Sequence, residues 1–117
     1  MNLFVFGATG DLFKRKVLPA LQELNSSDLN IVGIGRKEFV EENFRNYVCS
    51  NNCTPNFRQK INYIQVDFEK SPICKDCEKY FDKEGVNYFY ISLPPKLMYQ
   101  VINEIITYKK KEYIVNE

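Results

Sequence analysis

Leu3-Phe4-Val5-Phe6-Gly7-Ala8-Thr9-Gly10-Asp11-Leu12 reads as a buried strand, a glycine turn and the opening of a helix. The first four residues are an unbroken apolar run, the mark of a strand covered on both faces. The two glycines allow a turn that a Cβ would obstruct. Phe13, Val17, Leu21 and Leu24 then repeat at helical spacing. A strand, a glycine turn and a helix together form the first unit of a dinucleotide-binding sheet. Backbone N–H groups point outward there, and the helix dipole adds about half a positive charge. The Thr9 hydroxyl supplies a further donor. The spacing is G-x-x-G rather than the full G-x-G-x-x-G, so the context carries the weight. The local rule makes Asp11 a helix cap, because a carboxylate repels phosphate.

Working outward, further apolar runs occur at Ile31–Ile34, Tyr63–Val66, Val86–Leu93 and Tyr113–Val115. Helical spacing separates them: Phe39/Val40, Phe44 and Tyr47/Val48; then Ile73, Cys74, Cys77 and Phe81, stopped by Gly85; then Leu97/Met98, Val101/Ile102 and Ile105/Ile106. Pro19 removes one backbone hydrogen bond from the first helix, so a kink or a loose turn is expected there. Strands alternating with helices predict an α/β, Rossmann-like, doubly wound parallel sheet of about five strands. Right-handed crossovers give the order 3-2-1-4-5.

The second strand carries the choice of cofactor. NAD sites place an acid at its end for the ribose 2′-hydroxyl. Here the strand ends Gly33-Ile34-Gly35-Arg36-Lys37, with two cations and no acid. Arg36 offers a planar fork for a 2′-phosphate and a face for adenine, which favours NADP. Asp67-Phe68 follows the third strand, on the adenine side. Ser92-Leu93-Pro94-Pro95 follows the fourth, on the nicotinamide side, and its double proline opens the next helix. In the basic run Lys14-Arg15-Lys16, the first two read as a solvated helix face and Lys16 as facing the cleft.

Composition narrows the function further. The 117 residues carry 16 Lys and Arg against 15 Asp and Glu, a net charge of +1, which excludes binding of nucleic acid or anionic membrane by bulk charge. No apolar stretch is long enough for a membrane span, and the N-terminus lacks signal-peptide features, so a cytoplasmic location is expected. There is no histidine, so no imidazole from this chain serves as a base. Cys49-x3-Cys53 and Cys74-x2-Cys77 come close to a zinc-ribbon spacing. Cys74 and Cys77 share an apolar stripe, however, and the other pair lies at a helix end. Free core or loop thiols are therefore expected over a metal site or disulfides.

The run from Phe4 to Leu21, including Gly7-Ala8-Thr9-Gly10-Asp11-Leu12-Phe13-Lys14-Arg15-Lys16 and the following Pro19, resembles the N-terminal signature of glucose-6-phosphate dehydrogenases. Ile31–Arg36, Phe89–Pro95 and Ile114–Glu117 match in order, the last resembling the strand that leads to that family's E-K-P-F-G motif. By this resemblance residues 1–117 form the NADP-binding domain. The resemblance implies cofactor contacts from Gly7, Ala8, Thr9, Gly10, Asp11, Leu12, Arg36, Leu93, Pro94, Pro95 and Glu117, and a substrate contact from Lys16; the residues at the strand ends add Lys37, Asp67 and Phe68 to the expected cofactor contacts. It implies oxidation of glucose 6-phosphate to 6-phosphogluconolactone, in the pentose phosphate pathway, by an enzyme that forms homo-oligomers. The family's substrate and dimerisation domain, with its histidine base, is absent, so this chain alone is expected to be inactive. The alternative is a stand-alone NADP-binding sensor. A short-chain-reductase-like loop would require glycine at position 13, where Phe13 stands.

Overall fold

β1 (Asn2–Phe6) is the centre around which the chain folds, and Phe4, Val5 and Phe6 are all buried. The computed structural model describes residues 1–24, 26–70, 75–81 and 86–116; in residues 75, 76 and 108–116 it describes the backbone path alone. After β1 the chain forms a wide π-helical turn (Phe13–Val17) that runs into α1 (Leu18–Leu24). Then come β2 (Asn30–Gly35), α2 (Glu41–Cys49), α3 (Pro55–Arg58), β3 (Ile61–Gln65), α4 (Lys75–Glu78), β4 (Asn87–Ile91) and α5 (Pro95–Asn116). The strands form one parallel sheet in the order β3-β2-β1-β4. This is the expected α/β architecture, with four strands among the described residues.

Alternation along the strands splits the core in two. Val5 and Ile31 face the first helix and α2, where Phe13, Leu18, Phe44 and Val48 bury against them. Phe4, Phe6, Val32 and Ile34 face the other way, against Phe68, Cys77 and Val101. Gly33 falls on the first face: a Cβ there would stand 2.7 Å from the Phe44 ring, so the missing side chain makes room for the aromatic. At the N-terminal ends of the strands, side-chain amides form a ladder. Asn62 donates to Asn30, Asn30 to Asn2 and Asn2 to Asn87, satisfying half-buried polar groups across all four strands.

The looseness expected at Pro19 takes the form of the π-helical turn just before it. The Leu18 N–H reaches back to Phe13, five residues away, and Pro19 has no N–H with which to resume the ordinary ladder immediately.

Several expectations need correction. Tyr113–Val115 is not a fifth strand; α5 continues through it to Asn116. The helical spacing begun at Leu97 meets no glycine or proline, and the Lys109–Glu112 segment is made largely of good helix formers. β3 starts two residues earlier than the apolar run and stops at Gln65, and β4 is the shorter Asn87–Ile91. α2 begins at Glu41, after Phe39 and Val40. The four-residue α3 was not anticipated, although Thr54 caps it and Pro55 opens it. Of the expected third helix, Ile73, Cys74 and Gly85 lie outside the described residues.

Cys49 and Cys53 are joined in a disulfide, not free thiols. Ser50 and Asn51 adopt left-handed backbone angles, φ 43° and 66°, and turn the chain back at the end of α2. The two Cα atoms thereby come to 5.2 Å, within disulfide reach. Cys77 is buried in the second core.

Candidate cofactor site

The loops after β1, β2, β3 and β4 meet at one end of the sheet, where open α/β sheets bind their ligands. Backbone hydrogen bonds join them. Gly7 and Ala8 donate to Ile34 O at 2.9 and 3.2 Å, Ser92 donates to Phe6 O at 3.0 Å, and Val66 donates to Gly35 O at 2.9 Å. The order reverses between β1 and β4, which makes the crevice beside Gly7 the topological switch point.

Gly7 has φ 86°, a left-handed conformation that glycine adopts freely. A Cβ on it would stand 2.2 Å from Ser92 O, so the β1 and β4 loops close together only because position 7 has no side chain. Gly10 donates to Gly7 O at 3.0 Å, which completes the turn. A Cβ at Gly10 would meet only Gly7 O, at 3.2 Å, and otherwise project into open space. That is the cradle a phosphate oxygen requires: bare backbone before a helix whose first N–H groups lack carbonyl partners in their own helix. Asp11 is not a cap; it is exposed, and its carboxylate pairs with Arg15 at 3.0 Å, one helical turn on. The residues present therefore fit the diphosphate of a dinucleotide.

The second loop brings its cations to the same rim. Arg36 and Lys37 are exposed just past β2. Arg36, Gln65, Val66 and Asp67 line an open groove of about 440 Å³. Gln65 holds the Arg36 carbonyl at 3.2 Å and the Tyr63 hydroxyl holds the Lys37 carbonyl, so backbone contacts fix this turn and leave the guanidinium to project. The Asp67 carboxylate accepts the Glu69 N–H at 3.0 Å in a local turn. The Phe68 ring is buried against Phe6. Gly35 lets the loops approach: a Cβ would stand 3.2 Å from the Thr9 methyl and 3.0 Å from the Tyr63 hydroxyl.

On the β4 side, Leu93 Cδ2 lies 3.5 Å from the same Cβ position on Gly7. Pro94 and Pro95 are exposed, and Pro94 O accepts the Met98 N–H at 2.9 Å as α5 begins. Lys16 is exposed on the π-helical turn, and Glu117 lies outside the described residues. Among the described residues no three His, Cys, Asp or Glu side chains gather as metal ligands.

Sequence reasoning missed the α2 contribution. The Tyr47 hydroxyl donates to Thr9 O at 3.0 Å. Lys14, read as solvated, has its ammonium 4.5 Å from the centre of the Tyr47 ring. The polar tip of a tyrosine on an otherwise apolar stripe was the available signal.

A family model described as glucose-6-phosphate dehydrogenase, NAD binding domain, matches residues 4–116. Among curated relatives, the glucose-6-phosphate 1-dehydrogenase of Cyberlindnera jadinii is 27% identical over 100% of this chain and 27% of its own length. That of Encephalitozoon cuniculi is 30% identical over 90% of this chain and 23% of its own. The chain thus spans about a quarter of the length of the relatives it matches. A solved glucose-6-phosphate dehydrogenase in complex with its substrate glucose-6-phosphate superposes with a TM-score of 0.69 at 24% identity, covering 89% of this chain and 26% of that one. The enzyme from Mycobacterium avium gives 0.74 at 15% identity, over 91% and 26%. At those identities the structures establish the shared fold.

Proposed function

The chain belongs to the glucose-6-phosphate dehydrogenase family, as its NAD binding domain, and from that premise we propose that it binds NADP as the cofactor-holding part of a glucose-6-phosphate dehydrogenase. One observation supports the reading: the bare-backbone loop Gly7–Leu12 and the exposed Arg36 lie at the same end of the sheet, the positions this reading gives to the diphosphate and to the 2′-phosphate.

A bound dinucleotide would supply the hydride acceptor for oxidation at C1 of glucose 6-phosphate. Everything else falls to protein residues. The N–H groups at the start of the first helix hold the diphosphate, and Arg36 with Lys37 holds the 2′-phosphate. Leu93, Pro94 and Pro95 would border the nicotinamide. Lys16, exposed on the first helix, would reach toward the substrate and cofactor. The chain has no histidine, so an imidazole base for the C1 hydroxyl proton must come from outside these 117 residues.

The test has two parts. NADPH fluorescence titrated with the 117-residue chain should saturate at one cofactor per chain. An assay with glucose 6-phosphate and NADP should give no turnover by the chain alone. Absence of saturable binding overturns the cofactor reading, and turnover overturns the assignment of the base.

A further inference from the structure

Tyr47 stands at the centre of a cationic array that neither the phosphate loop nor Arg36 accounts for. The Lys14 ammonium, from the π-helical turn, lies 4.5 Å from the Tyr47 ring centre. The Lys37 ammonium, from the β2 loop, lies 5.8 Å from the same ring and 5.1 Å from that of Phe39. Phe39 and Tyr47 pack with ring centres 5.6 Å apart, which makes one aromatic platform. The Tyr47 hydroxyl anchors that platform to Thr9 O.

Neighbouring acids do not neutralise the two lysines. Asp11 pairs with Arg15, Glu41 with Arg45, and Glu42 with Arg45 and Arg58. Among the described residues neither Lys14 nor Lys37 has a carboxylate within ion-pair distance. Gathering like charges on one platform is unfavourable unless the ring faces or an anion offset the repulsion.

We propose that Tyr47 is a positioning residue for cofactor choice: its ring gathers Lys14 and Lys37, the residue that follows Arg36 on the β2 loop, into an array that takes the 2′-phosphate of NADP. This deepens the proposed function and rests on it. The ring sets where the two ammonium groups wait, so their ordering is complete before the phosphate arrives. NAD lacks that phosphate and gains nothing from the array.

The experiment is calorimetric titration of the 117-residue chain and three variants with NADP and with NAD. Tyr47→Leu should weaken NADP about 5–10-fold, in line with loss of two cation–ring contacts, and NAD less than twofold. Tyr47→Phe keeps the ring and should restore most of the NADP-to-NAD ratio. Lys14→Gln, a surface change that leaves the platform intact, should weaken NADP about threefold, the size of one modest charge contact, and decides the matter if Tyr47→Leu fails to fold. Equal losses for both cofactors in Tyr47→Leu, or an unchanged ratio in Lys14→Gln, would overturn the inference while leaving the proposed function standing. Binding of neither cofactor by the unaltered chain would overturn both.

Discussion

A Cβ on Gly7 would stand 2.2 Å from the main-chain oxygen of Ser92. This one approach closes the β1 loop against the β4 loop and makes the crevice at the switch point. Position 7 also has φ 86°, where an alanine is strained whatever the space. The Ser92 oxygen belongs to backbone and cannot swing aside.

Gly7→Ala should therefore destabilise the fold by about 2–4 kcal/mol, combining positive-φ strain with overpacking. Urea unfolding followed by circular dichroism measures it. A loss below about 0.5 kcal/mol, the range of an ordinary surface change, would show that the two loops can part without cost.

Much of this was legible in the sequence because β1, β2 and β4 read as plain apolar runs; β1 and β2 are covered on both faces, whereas β4 is the edge strand and exposes Tyr88. The start of β3 was not, since Asn62 interrupts the run. Its side chain is used in the amide ladder with Asn30, a cross-strand partner that a one-dimensional pattern cannot display. Tyr113–Val115 misled for the opposite reason: three β-prone residues were outweighed by the helix already propagating from Pro95. The Cys49–Cys53 bond depends on the left-handed turn at Ser50 and Asn51, which hydrophobic periodicity does not encode. In the site, Gly7, Gly10 and Arg36 announced themselves by type and spacing, whereas Tyr47 and Lys14 matter only through a contact between the first helix and α2.

The disulfide encloses a short loop, with a sequence separation of 4. Gln22 ties that loop to α1, donating to Asn52 O at 3.1 Å and accepting from Thr54 N at 2.9 Å. The chain-entropy relation for so short a loop gives about 2 kcal/mol. Dithiothreitol, or the Cys49→Ser/Cys53→Ser pair, should lower the unfolding free energy by that amount. Identical urea midpoints with and without reductant would contradict it.

Burial pushes the Tyr63 phenol up to about 12 from its usual 10. The folded state thus favours the neutral form. The stability this contributes is complete below about pH 10 and is lost as pH rises toward 12, because the unfolded phenol ionises first. Unfolding free energy should fall across that window, and less steeply in Tyr63→Phe. Equal slopes for the two proteins would refute the raised value.

Arg36→Ala should weaken NADP by roughly 1.5–3 kcal/mol, as for a lost charge-assisted contact, and leave NAD nearly unchanged. A comparable loss for both would reassign Arg36 from the 2′-phosphate to adenine stacking alone.

The central claim is that this sheet end holds NADP. Isothermal titration of the 117-residue chain with NADP and then NAD, at one buffer and salt concentration, tests it most directly. Saturable binding of one NADP per chain, with weaker binding of NAD, is the predicted result. No saturable heat with either cofactor, or tighter binding of NAD, would contradict it.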